Sequence, residues 1–233
     1  MPNTLPKLLA TALTAALLPA AAATFDFADL KYNSGTNTGF LPTDGISCTA
    51  GDLCSSDVDH GARNGDLMFT SGSLTVLATG SYNGGVAAVV QDHENAYNAA
   101  NRIGAGLGIY HLTGNTSDDN ITAGEALVMT FNQVVDLTGI SLRSDGHNIA
   151  GWMAGDTFLL NGVNTLLPAA TGTIALNLTG RQFTFAFGGR QADQFYLSGM
   201  TAISAVPEPE TYALMLTGLI TIGFVARRRW PRA

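Results

Sequence analysis

The chain has 233 residues, room for one domain of ordinary size and not for two large ones. Only 12% of its residues are charged and 27 are glycine, which favours short strands and tight turns over amphipathic helices. Between Thr24 and Val206 there are 16 acidic residues against six basic ones, a balance of −10 that argues against nucleic acid or an anionic lipid surface as a partner of this stretch.

Residues 1–23 have the build of a secretory leader. Lys7 sits near the amino terminus, an apolar run follows from Leu8 to Leu18, Pro19 breaks it, and Ala21-Ala22-Ala23 supplies the small-x-small pattern that a signal peptidase accepts. Cleavage is expected after Ala23. The apolar run is too short to span a bilayer comfortably, which argues against a permanent anchor.

Cys48 and Cys54 follow, in a loop rich in Gly and Asp. In an exported chain such a pair is expected to form a local disulfide. A metal site would need two further ligands, and there is no third cysteine.

From there to Ser204 the pattern is one of short apolar or alternating segments between turns, with strands expected at Leu67–Phe69, Leu74–Ala78, Val86–Val90, Gly108–His111, Ala126–Asn132, Thr138–Arg143, Thr157–Leu160, Thr173–Leu178, Gln182–Phe187 and Gln194–Ile203. Ser71-Gly72, Asn83-Gly84-Gly85, Ser144-Asp145-Gly146, Asn161-Gly162 and Gly188-Gly189 mark the turns. Phe183, Phe185 and Phe187 alternate with Thr184 and Ala186, so all three rings fall on one face. The only helical candidate before the tail is Asn95–Arg102. The expected fold is all-β, a jelly-roll-like antiparallel β-sandwich over residues 24–205.

Two loops carry acidic clusters. Asp118, Asp119, Asn120 and Glu125 place four oxygen-bearing side chains within eight residues, which suits calcium, although a solvated turn whose side chains cap their own backbone is the commoner use of such a loop. Asp52, Asp57 and Asp59 form the second cluster, and neither has the spacing of a calcium-binding loop motif. Catalytic patterns are sparse. The body has two glutamates, Glu94 and Glu125, the four histidines are scattered, and no Gly-x-Ser-x-Gly elbow is present. In Gln91-Asp92-His93-Glu94, consecutive strand side chains point to opposite faces and cannot all converge. No catalytic residue is assigned. Tyr82, Tyr97, Tyr110 and Trp152 are candidates for sugar-binding platforms, or else for ordinary packing.

The last 28 residues, 206–233, are of another kind. Pro207 and Pro209, two positions apart, keep Val206-Pro207-Glu208-Pro209-Glu210-Thr211 extended. An uncharged run from Tyr212 to Ala226 comes next, then Arg227-Arg228-Arg229-Trp230-Pro231-Arg232. As a helix that run spans about 22 Å, short of the roughly 30 Å hydrocarbon core. The arginines belong on the cytoplasmic side and stop transfer there, which leaves the body outside the inner membrane, in agreement with the leader.

Pro207-Glu208-Pro209, Tyr212-Ala213-Leu214-Met215-Leu216, Gly218-Leu219, Gly223-Phe224 and Arg227-Arg228-Arg229 together resemble the PEP-CTERM sorting signal. In that family the tail is handled by exosortases, membrane enzymes of Gram-negative bacteria that make exopolysaccharide. The resemblance implies processing near Pro-Glu-Pro by an exosortase, transient anchoring through the helix, and passage of the body to the cell surface or the extracellular matrix of a biofilm; that the body is non-enzymatic is expected from its sparse catalytic residues and not from the tail. It makes exopolysaccharide a candidate partner. Glu210 departs from the small residue that many members carry there. A second, shorter resemblance, over Leu107–His111, Asp118–Ile121, Gly124–Leu127, Phe131 and Val134–Leu137, is to bodies that carry the same tail, and implies a sandwich.

Overall fold

A computed structural model of the chain describes residues 22–33, 36–43, 53–54, 65–92, 104–111, 119–205 and 216–223. In chain order these form strands β1 (Ala22–Asp26), β2 (Leu30–Asn33), β3 (Thr36–Gly39), β4 (Leu53–Cys54), β5 (Leu67–Ser71), β6 (Leu74–Tyr82) and β7 (Gly85–Asp92). Then come β8 (Gly106–Tyr110), β9 (Glu125–Arg143), β10 (Thr157–Leu160), β11 (Val163–Leu166), β12 (Thr173–Ala186) and β13 (Tyr196–Ser204). One helix, over 216–223, ends the described chain.

The turns form where backbone freedom is cheapest. Asn83 (φ 48°) and Gly84 (φ 79°) join β6 to β7, and Asn161 (φ 51°) and Gly162 (φ 76°) join β10 to β11. Positive φ at both central residues is the type I′ geometry, whose twist matches that of the flanking strands.

All strand pairs are antiparallel. The architecture turns on β9. Its first part, Glu125 to Phe131, pairs with β6, and its second part, Val135 to Arg143, pairs with β13. Strand β13 touches β8 at Leu197–Leu107, β8 pairs with β7, and β7 with β6. The pairings return to their start, so β6, β9, β13, β8 and β7 close a five-stranded barrel. Around it, β12 runs along β9 and carries β10 and β11, while β1 lies on β13, β5 on β6 and β4 on β7. The hairpin of β2 and β3 stands apart.

The fold is therefore all-β as the sequence implies, but a closed barrel takes the place of the jelly-roll sandwich. Two separately expected strands, Ala126–Asn132 and Thr138–Arg143, are one 19-residue strand. The polar break at Asn132-Gln133 is not a turn but the exposed stretch where β9 passes from one partner to the other. Asn132 faces outward and holds the β5–β6 turn, accepting from Thr75 N at 3.2 Å and donating to Ser73 O at 3.2 Å.

Phenylalanines fill the interior. Phe27 and Phe69 meet edge to face at 4.9 Å, Phe25 and Phe131 at 5.8 Å, and Phe131 and Phe183 at 6.0 Å. Phe183 and Phe185 are buried and Phe187 packs against the same core, as the alternation in β12 requires. Losing one such ring to alanine costs about 3–5 kcal/mol.

Candidate functional site

Two places in the body gather chemistry, the end of the barrel where the chain enters and leaves, and a set of buried polar pairs at the rim.

Strand β1 enters beside the exit of β13. The register sets Ala22 opposite Ile203, Ala23 opposite Ala202, Thr24 opposite Thr201, Phe25 opposite Met200 and Asp26 opposite Gly199. On its other edge β13 pairs with β9 to the end, Ser204 facing Val135. Ala205 N still donates to Val134 O at 3.2 Å. Val206 to Met215, including Pro207, Glu208 and Pro209, and Arg227, Arg228 and Arg229 lie outside the described residues. Within 216–223 the helix exposes Leu216, Leu219, Ile220 and Ile222. Among the described residues no helix is long and apolar enough to cross a membrane.

At the rim, residues far apart in sequence are brought together. Asp92, the last residue of β7, is 5% exposed, and its Oδ2 lies 2.7 Å from His147 Nε2 in the short 3-10 turn after β9. Arg143 Nη1 donates to His147 O at 3.1 Å, fixing that turn. Tyr196 Oη donates to Asp119 Oδ1 at 2.6 Å, and its ring meets that of His147 edge to face at 5.9 Å. Burial, and then the neighbouring Asp92, push the Asp119 carboxyl up to about 7, against the Tyr196 hydrogen bond and His147, which pull it down; Asp145 adds to the rise. Burial and the Asp119 and Asp92 charges raise the Tyr196 phenol far above its ordinary value. Next to Asp92, Gln91 Nε2 donates to Phe27 O at 2.9 Å and Phe40 O at 2.8 Å, tying the first turn of the chain to β7.

A second pair sits at the start of β9. Glu125 Oε1 lies 2.5 Å from His111 Nδ1, while Oε2 accepts from Thr122 N at 2.7 Å and Thr122 Oγ1 at 3.1 Å. The His111 ring stacks on Tyr82 at 3.7 Å.

These contacts bear on the calcium set. Asp118 lies outside the described residues. Of the other three, Asp119 turns to Tyr196, Glu125 turns inward to His111 and Thr122, and Asn120 is buried, its backbone carbonyl accepting from Ile109 N. Among the described residues no three His, Cys, Asp or Glu side chains converge as a metal site. Asp52, Asp57, Asp59, His93, Glu94 and the Asn95–Arg102 segment lie outside the described residues.

Cys48 also lies outside them, and of Cys54 the structure gives only its place in β4, opposite Gln91. The expected bridge is not among the described contacts.

The aromatic platforms change their meaning. Tyr110 and Trp152 are buried, Trp152 Nε1 donating to Gln194 O at 3.0 Å, and Tyr82 lies against His111, so these three are packing residues; Tyr97 is outside the described residues. A groove of about 300 Å³ opens instead beside β1, lined by Thr24, Asp26, Ser141, Arg143, Ser198 and Thr201 among others. Burial lowers the Arg143 guanidinium, and the Asp26 carboxylate opposes that shift. No local sequence pattern marks this groove, nor the Asp92–His147 and Asp119–Tyr196 pairs, whose partners stand 55 and 77 residues apart.

No curated protein and no solved structure matches the chain. A family model does, the PEP-CTERM protein-sorting motif, over residues 205–229. The match begins one residue after β13 ends, at the point where the ladder to β9 runs out. It marks an exported chain that is processed by exosortase and held at the membrane in transit. The chain therefore carries a PEP-CTERM protein-sorting motif directly after its last described strand.

Proposed function

We propose that this protein is a cargo of the exosortase pathway whose barrel is displayed, without catalytic activity of its own, at the cell surface or in the exopolysaccharide matrix of a Gram-negative bacterium. The observation that carries the reading is the direct passage from β13 into the matched motif. An extended Pro-Glu-Pro segment is suited to the grip of a processing enzyme, and the arginines after the helix hold it at the membrane until the cut. The leader, residues 1–23, starts the same route. The negative balance of the body suits a matrix protein that must not adhere to nucleic acid or anionic lipid.

The test is the location of the protein in native cells with and without the exosortase. With the enzyme, the body is expected in the surface or matrix fraction. Without it, the full chain should remain with the inner membrane. An unchanged distribution would contradict the reading.

A second reading, a carbohydrate-binding body, is favoured by the groove beside β1. Hydroxyls from Thr24, Ser141, Ser198 and Thr201 stand there with Arg143 and Asp26, a mixture of donors and acceptors that suits a polyol. Retention of the mature body on the cell's own exopolysaccharide, reduced by Arg143→Ala, is its expected result. No retention of either form leaves the matrix role without a sugar site.

A further inference from the structure

The sequence places the leader cleavage point between Ala23 and Thr24, and the structure places the same bond inside a β-ladder. Ala23 is paired with Ala202 and Thr24 with Thr201, in the middle of the five-residue contact between β1 and β13. Phe25, the next residue, is fully buried and packs on Phe27 and Phe131. A protease needs its substrate extended, unpaired and accessible, so a bond held in a ladder is cut only through local opening.

The two partners also reach the outside at opposite ends of synthesis. β13 is the last strand before the sorting motif, about 175 residues after β1, and pairing at such separation forms late. Until β13 has crossed the membrane, β1 has no partner and the bond stays exposed.

The same register has a second consequence. Because the pair is antiparallel and Ala22 faces Ile203, the leader and the sorting tail leave the barrel at one end, side by side. Pro207 follows Ala205 by two residues, at most about 7 Å of chain. Little slack separates the fixed end of β13 from the motif.

We propose that β1 is a seal laid only after the leader has been cut: signal peptidase acts while β1 is free, the new strand Thr24–Asp26 then docks on β13 and protects the site, and sorting acts on a barrel completed beside its own cut end. This rests on the reading of residues 1–23 as a cleaved leader. A chain that docks β1 before the cut becomes refractory and stays held by both ends.

The experiment uses the full-length chain, refolded in detergent and treated with purified signal peptidase, with the amino terminus read by mass. The folded wild-type precursor is expected to be cut at least about tenfold more slowly than the Ala202→Pro precursor, because proline cannot donate to the ladder and β1 is released. Phe158→Ala, which removes a buried ring on β10 away from β1, serves as a destabilised control and should stay resistant below its melting point. Equal cleavage of folded wild type and Ala202→Pro, with the rest of the barrel intact by circular dichroism, would overturn the seal and leave the leader standing. If the urea-unfolded chain is also not cut between Ala23 and Thr24, the leader reading fails, and the seal with it.

Discussion

Asp119 is paired at the rim of the barrel with Tyr196, whose hydroxyl donates to its Oδ1 at 2.6 Å. With Asp118, Asn120 and Glu125 it reads as one oxygen-rich loop. In the fold, Asp119 serves Tyr196 on β13 and Glu125 serves His111, just after β8. The pairing has a thermodynamic consequence. The Asp119 carboxyl, raised from 3.8 to about 7, keeps a proton in the folded state that the unfolded chain has released. Stability from this group is therefore full below the unfolded value and falls as pH rises through the window from about 4 to 7, flattening above it. Thermal melts are expected to give a higher melting temperature at pH 5.5 than at pH 8, with about 2–4 °C for each kcal/mol at this chain length. Asp119→Asn keeps an acceptor for Tyr196 and should be the more stable protein at pH 8, with a flatter pH dependence. A wild-type melting temperature that rises steadily from pH 5.5 to 8 would contradict this assignment.

At the scale of elements, the short alternating segments and Asn-Gly turns were legible. β5, β6, β7, β8, β10 and β13 all fall where the sequence puts them, within a few residues. The misses at β9, β12 and β1 share a cause. β9 and β12 continue through polar stretches, Asn132–Gln133 and Thr179–Arg181, that read as breaks; β9 pairs with Thr179 and Gly180 through Asp136 and Val135, and Asn132 is held by Thr75 and Ser73 at the β5–β6 turn. β1 carries no strand signal of its own because the partner that holds it, β13, lies about 175 residues further along the chain. The closed barrel was not legible for the same reason: closure depends on β9 serving β6 and β13, which is a long-range fact. β8, one of the five strands of the barrel wall, is crossed closely by a strap of chain at Asp119–Ile121. Ile109 N donates to Asn120 O at 3.1 Å, and a Cβ built on Gly108 would stand 1.6 Å from Asp119 O. Gly108→Ala must therefore push the strap away. It should cost at least about 1–3 kcal/mol and lower the denaturation midpoint with little change in slope. A midpoint equal to that of wild type would show that the strap yields freely.

For the whole molecule, the informative parts are at its ends. The tail was legible because its message is a linear pattern: an extended proline segment, a marginal apolar helix and a positive stop. The barrel carries no such pattern, and its polar pairs are assembled from residues that only the fold brings together. What the structure adds is the pairing of β1 with β13, which brings the first and last described strands side by side. The central claim is that the tail is a temporary handle, and the most direct test is the intact mass of the protein recovered from its native cell. The account predicts a chain that begins at Thr24 and ends near Pro207–Pro209, without the helix and the arginines. A mature chain ending at Ala233 would contradict it and leave the tail as a lasting anchor.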